Sequence, residues 1–198
     1  MPMAGSGQRV GLFGGSFNPP HEGHVHVCEQ ALRRLELDWI WWLVSPGNPL
    51  KDHSNLAPLA ERLVLCESIT DDPRMVPTAV EASLPTNYTA DTLSHIVQRN
   101  PDIHFVWIMG ADNLGQFHRW QRWRFIADLI PIAVIDRPGS TMTLHSAPMA
   151  QILRDRRIDE DDAARLATSA PPRWTFLHGP RSSLSSTAIR AAQRRKGG

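Results

Sequence analysis

Net charge and cysteine are both scarce in this chain of 198 residues. The 21 Lys and Arg residues nearly balance the 20 Asp and Glu residues, which leaves a formal net charge of +1. This balance gives no reason to expect a nucleic acid or an anionic membrane as a partner. The two cysteines, Cys28 and Cys66, lie in helical patterns without the spacing of metal ligands. We expect small core residues rather than a disulfide, as in a protein of the cytoplasm.

Long apolar segments are absent as well. The longest strongly apolar run, residues 39–44, is far too short to span a bilayer. The N-terminus lacks a basic region followed by an apolar one, so no signal peptide is predicted. Neither an internal repeat nor a low-complexity tract is present. The length predicts a single domain over 1–198, with a flexible N-terminal segment at 1–8 and a variable segment at 140–173.

Apolar strands alternate with helical patterns along the chain. The predicted strands are residues 9–13, 39–44, 75–80, 103–109, 132–135 and 174–177. This alternation predicts an α/β fold, an open, doubly wound, mostly parallel sheet with helices on both faces. Ligands bind such sheets at the carboxyl ends of the strands, where the strand order reverses. Two strands end in glycine-bearing turns, at Gly14-Gly15 and at Gly110, and we expect both turns to flank that crevice.

The stretch 11–24 carries the strongest local signal. Gly14 and Gly15 end the first strand and let the backbone approach a ligand closely. His21 and His24 stand at the start of a helical pattern, where unpaired N–H groups and the helix dipole suit a phosphate. The G-x-G-x-x-G fingerprint and the Walker A motif are absent, so a nucleotide would be held in another way. Residue types alone leave open a zinc-binding histidine pair and histidines that only cap the helix.

A second motif lies near the end of the chain. Ser185, Ser186 and Thr187 precede a predicted helix that carries Arg190. The two motifs together resemble those of the nucleotidyltransferase superfamily with a His-x-Gly-His signature. Further matching segments follow in the family order at 46–51, 88–93, 110–113 and Trp120. The chain is thereby similar to the bacterial nicotinate mononucleotide adenylyltransferases over nearly its whole length.

This resemblance implies a reaction with two substrates. The 5′-phosphate of nicotinate mononucleotide attacks the α-phosphorus of ATP and yields nicotinate adenine dinucleotide and pyrophosphate, a step of NAD biosynthesis. The attacking phosphate is already an anion, so neither a strong general base nor a covalent intermediate is expected. The protein must align two phosphates and neutralise charge on the pyrophosphate, with Mg²⁺ on the substrate phosphates and no metal held by the protein alone. Homo-oligomerisation is left open.

The resemblance also implies a role for each motif residue. The catalytic group acting on the ATP phosphates would be His21, His24 and Arg190. The ATP-binding residues would be Gly14, Gly15, Ser16, Phe17, Gly110, Asp112, Ser185, Ser186 and Thr187. The acceptor would be bound by Asn48, Lys51, Thr89 and Trp120, with Trp120 stacked on the pyridine ring. Residues 184–196 would form a C-terminal phosphate-binding helix.

Several alternatives stay open beside these assignments. Asp112 also suits a plain turn cap, and Ser185 to Thr187 suit a helix cap. Gln121 follows Trp120 where many family members have tyrosine, so the far wall of the pyridine pocket is undefined. The competing functions are another member of the superfamily, such as a phosphopantetheine adenylyltransferase or a cytidylyltransferase, and a nucleotide-binding module without catalysis. The choice between nicotinate and nicotinamide rests on resemblance alone.

Overall fold

A parallel sheet forms the centre of the computed structural model, which describes residues 1–47, 56–86, 88–136 and 146–179. Its strands are β1 (Arg9–Gly15), β2 (Trp39–Val44), β3 (Met75–Thr78), β4 (His104–Gly110), β5 (Ile132–Ile135) and β6 (Trp174–Leu177). The strand order is β3-β2-β1-β4-β5-β6, and every neighbouring pair is parallel. The order reverses between β1 and β4. The predicted open α/β sheet is therefore confirmed.

Helices connect the strands and cover both faces of the sheet. They are α1 (Glu22–Arg34), α2 (Leu59–Ile69), α3 (Thr89–Arg99), α4 (Ala111–Phe117), α5 (Trp123–Leu129) and α6 (Pro148–Ile152). Short 3₁₀ helices lie at Val80–Ser83, Arg154–Arg156 and Glu160–Thr168. The side chains of β2 alternate between two hydrophobic clusters, with Trp41 in one and Trp42 in the other. Because both faces are buried, the strands have the continuous apolar runs that predicted them.

Four elements have bounds that differ from the sequence predictions, and the smallest difference is in β4, which lies one residue later than predicted at both ends. β1 continues through Gly15, so both of its glycines belong to the strand rather than to the turn after it. β3 ends at Thr78 and is followed by a 3₁₀ helix, and its place at the sheet edge accommodates Pro77. α4 begins directly after Gly110, where the sequence predicted a turn. A seven-residue helix with glycine inside it has little periodicity by which to be predicted.

An acidic run at residues 159–162, inside the segment 140–173, makes structural contacts. Asp159 caps the 3₁₀ helix Glu160–Thr168 by accepting a hydrogen bond from the Asp161 N–H. The Glu160 carboxylate pairs with Arg34 at 3.0 Å and accepts a hydrogen bond from the backbone N–H of His178. These contacts join α1 to the residue that follows β6. They lower the pKa of Glu160, although burial acts in the opposite direction.

Cys28 and Cys66 are both buried, and neither forms a disulfide. Within the described ranges, no helix combines the length and the apolar character needed to cross a bilayer.

Candidate active site

The candidate site lies at the carboxyl ends of β1 and β4, the two strands at which the strand order reverses. Phe13 of β1 is paired with Ile108 of β4, so the two strands end side by side at Gly15 and Gly110. After Gly15 the chain crosses a short loop to α1, and after Gly110 it enters α4 at once. This is the crevice in which open α/β sheets bind their ligands. The two glycine-ended strands of the sequence analysis are thus neighbours.

His21 and His24 together cap the start of α1. The Nδ1 atom of His21 accepts a hydrogen bond from the Gly23 N–H at 3.1 Å, and Nδ1 of His24 accepts one from the His21 N–H at 3.2 Å. Both side chains are buried, and their ring centroids are 3.8 Å apart. A neutral imidazole whose Nδ1 accepts a hydrogen bond carries its proton on Nε2. The pair therefore brings two Nε2–H donors to a helix N-terminus, where the dipole favours an anion.

Aromatic rings pack against the ring of His24. Phe17 has a left-handed backbone with φ of 45°, and its ring stacks on Trp42 at 4.9 Å. His24 meets the Phe17 ring edge-on at 5.0 Å. The side chain of Phe17 is thus a core element, so only the backbone at this position is suited to line a nucleotide path. Ser16, which precedes it, is half-buried.

Gly14 leaves room for a tryptophan. A Cβ atom at Gly14 would collide with the ring of Trp107, which lies on the neighbouring strand β4. Trp107 in turn contacts Trp120, with ring centroids 6.2 Å apart, and Trp120 packs on Phe117 at 5.3 Å. The absence of a side chain at Gly14 therefore makes room for Trp107, which packs against the half-buried Trp120. This packing connects the predicted phosphate-binding end of β1 with the predicted acceptor pocket.

The first turn of α3 is attached to the segment that carries Trp120. Thr89 is the first residue of α3 and is half-buried. Two residues later, Asp91 accepts hydrogen bonds from the Thr86 hydroxyl at 2.9 Å and from the Arg122 guanidinium at 2.9 Å. This ion pair brings the two predicted walls of the acceptor pocket together. It is half-exposed and so contributes little to stability by itself.

The remaining predicted residues divide into two groups. Gly110 is buried and occupies the N-cap position of α4, and Asp112 lies exposed in the first turn of that helix, where a carboxylate is favoured. Six predicted site residues lie outside the described ranges: Asn48, Lys51, Ser185, Ser186, Thr187 and Arg190. The described residues contain no group of three His, Cys, Asp or Glu side chains that could hold a metal ion.

Sequence reasoning missed two charged residues at this edge of the sheet, Arg62 and Glu81. Arg62 is buried and donates hydrogen bonds to the loops that follow β1 and β2. A signal for it existed, because Arg62 lies three residues after Leu59 and four before Cys66, on the apolar face of α2. Burial raises the pKa of Glu81 to about 6, against the opposing effect of the Thr92 and Ser45 hydroxyls. Glu81 offered no comparable pattern.

The sequence of the chain matches a family model and is similar to known proteins over nearly its whole length. A family model described as cytidylyltransferase-like matches residues 12–192. A protein of Brucella abortus named "Probable nicotinate-nucleotide adenylyltransferase" is 63% identical over 187 residues, which cover 94% of this chain and 96% of the relative. A protein of Rhizobium meliloti with the same name is 60% identical over 184 residues, which cover 93% of this chain and 98% of the relative.

Solved structures share the fold at much lower identity. A Plasmodium falciparum nicotinic acid mononucleotide adenylyltransferase complexed with NaAD superposes with a TM-score of 0.69 at 17% identity and covers 93% of this chain and 83% of its own. The same enzyme complexed with APC gives a TM-score of 0.68 at 16% identity with the same coverage. These likenesses concern the fold alone.

Proposed function

The chain belongs to the nicotinate-nucleotide adenylyltransferases within the cytidylyltransferase-like family, and from this we propose how its residues carry out the reaction. The enzyme transfers the AMP moiety of ATP to nicotinate mononucleotide and releases pyrophosphate, a step of NAD biosynthesis. One observation supports the residue roles most directly. It is the buried histidine pair at the start of α1, at the strand-order switch of the sheet.

His21 and His24 act on the ATP phosphates as hydrogen-bond donors. Their Nδ1 atoms are engaged by backbone N–H groups, so the rings present Nε2–H to a phosphate oxygen. Donors held in place before the reaction stabilise charge that develops on the leaving pyrophosphate without any reorganisation. The attacking phosphate is already anionic, so neither ring needs to remove a proton.

The neighbouring segments hold the adenosine and the acceptor. The backbone of Gly15, Ser16 and Phe17 lines the path of the nucleotide, and Gly110 with Asp112 lies on the ribose side. Thr89 and Trp120 form the acceptor pocket, with the Trp120 ring stacked on the pyridine. Alignment of the two phosphates for direct displacement is the main contribution of these contacts. The roles implied by the resemblance are retained for the six residues outside the described ranges: Asn48, Lys51, Ser185, Ser186, Thr187 and Arg190.

Mg²⁺ accompanies the nucleotide in this proposal. The cation prefers oxygen ligands and commonly binds through substrate phosphates. When bound there, Mg²⁺ neutralises charge on the pyrophosphate. We also infer a cytoplasmic setting for this biosynthetic enzyme, and a homo-oligomeric state stays an open prediction.

A turnover assay tests the proposal. Purified protein is incubated with ATP, Mg²⁺ and either nicotinate mononucleotide, nicotinamide mononucleotide or phosphopantetheine, and pyrophosphate release is measured. We expect release with nicotinate mononucleotide and a lower kcat/KM with the nicotinamide compound. Release with phosphopantetheine alone would assign a different acceptor. ATP binding without turnover of any acceptor would favour a binding module.

A further inference from the structure

Arg62 is a buried cation that joins three separate segments of the chain. Its Nη1 atom donates to the backbone carbonyl of Ser16 at 2.6 Å and to that of Ser45 at 2.7 Å, and its Nε donates to the carbonyl of Ala57 at 2.8 Å. A longer contact of 3.5 Å reaches the Pro46 carbonyl. The side chain is 1% exposed. Ser16 follows β1, Ser45 follows β2, and Ala57 precedes α2.

No carboxylate of the described residues lies within ion-pair distance of Arg62. Burial lowers its pKa, yet a guanidinium keeps its charge at neutral pH in proteins. Such a group is costly to bury, and in the part of the chain that the structure describes it donates hydrogen bonds to backbone carbonyl oxygens, which offset the cost. A leucine at this position would satisfy a purely structural core. The planar guanidinium instead offers several donors in fixed directions, which suits one side chain that must hold several carbonyls at once.

The segments that Arg62 joins are those that border both substrates in the proposed function. Ser16 belongs to the nucleotide loop between β1 and α1. Ser45 and Pro46 begin the segment that leads toward Asn48 and Lys51. The loop after β2 is also tied to the end of β1, because the Ser45 N–H donates to the Gly15 carbonyl at 2.9 Å. Asn18 of the first loop accepts a hydrogen bond from the Ala57 N–H at 3.2 Å. Arg62 thus contacts both loops at the points where they leave β1 and β2.

We propose that Arg62 is a positioning residue that sets the nucleotide loop and the acceptor-side loop at one fixed separation. This inference rests on the proposed function for its substrates, but not for its geometry. Arg62 is 1% exposed and donates to backbone carbonyl groups, so in this proposal it acts through the loops. A loss of alignment between two reacting groups costs rate even when each substrate still binds. Because Arg62 also holds both loops, each of which borders a substrate in the proposed function, we expect its replacement to change both KM values as well as kcat.

The test compares Arg62→Lys, Arg62→Gln and Arg62→Ala with the matched control Arg74→Lys. Arg74 is a half-exposed cation whose guanidinium forms a hydrogen-bonded ion pair with the Asp72 carboxylate. Wild-type turnover is measured first, so that failure of the proposed function is recognised separately. For each variant, kcat and KM for both substrates are measured at a temperature well below its melting transition. Hydrogen exchange at the amides of Ser45 and Gly47 reports on the loops without any turnover.

We expect Arg62→Lys to fold and to lose about tenfold to a hundredfold in kcat/KM, with KM raised for both substrates. The Gln variant should lose more, and the control should match the wild type. Guanidinium ion, below denaturing concentrations, should restore part of the activity of Arg62→Ala. The loop amides should exchange faster in the Arg62 variants and at the wild-type rate in Arg74→Lys. Unchanged kcat/KM in folded variants, or a general loss of folding in all three, would overturn the proposal, because Arg62 would then serve stability only.

Discussion

Replacement of Glu81 by glutamine should stabilise the protein at neutral and alkaline pH. Burial raises the pKa of Glu81 from the ordinary 4.5 to about 6 in the folded state. The folded state therefore prefers the protonated carboxyl, and the stability that this group contributes is fully present below pH 4.5 and lost as the pH rises through 6. A difference of about 1.5 pKa units corresponds to about 2 kcal/mol. Glutamine resembles the protonated form in shape and charge.

The stability difference between Glu81→Gln and the wild type should grow by about 2 kcal/mol between pH 4 and pH 8. For a chain of this length the melting temperature of the variant at pH 8 should be higher by about 4–8 °C. Urea unfolding and thermal melts across this range measure both quantities, and other ionisable groups cancel in the difference. Glu67→Gln, at an exposed position of α2, is the control. A pH-independent difference, or destabilisation that appears only above pH 6, would refute the reasoning.

Three further predictions concern the site itself. His24→Ala should lower kcat by about a hundredfold or more through the loss of a donor, and lower stability by about 2–4 kcal/mol through the lost cap and the lost packing of its buried ring. His26→Ala, on the same helix, is its control in the pyrophosphate assay, and equal rates would contradict the role. Trp120→Ala should raise KM for the pyridine nucleotide about fivefold, with little effect on KM for ATP. An equal change for both substrates would argue against stacking. Gly14→Ala should cost about 1–3 kcal/mol in urea unfolding because the added methyl meets a packed tryptophan ring. Gly5→Ala, where a Cβ makes only ordinary contacts, should be neutral, and equal effects would refute the packing explanation.

Most of the sheet was predictable because its strands are buried on both faces. The predicted bounds of β2, β5 and β6 agree with the structure. The start of α1 was predictable because Pro20 and the two histidines form a local signal for the beginning of a helix. α4 was not, because it is short and begins without a side-chain cap. A hydrophobic pattern along the sequence predicts an element only if the element is long enough to repeat the pattern. A short helix that is stabilised by tertiary packing does not repeat it, so the sequence does not predict such a helix.

The sequence by itself determined the fold class, through the alternation of strands and helices, and the family, through motifs that resemble those of known members. It also carried the predicted phosphate-binding motif, whose residues lie close together in the chain. Tertiary structure decided why Gly14 is a glycine, since Trp107 reaches it from another strand. It also paired Asp91 with Arg122 and placed Arg62 beneath two loops that are far apart in the chain. Such contacts join residues separated by tens of positions, and no periodicity records them. The histidine pair was readable from the sequence, whereas the buried cation that joins the neighbouring loops needed the folded chain.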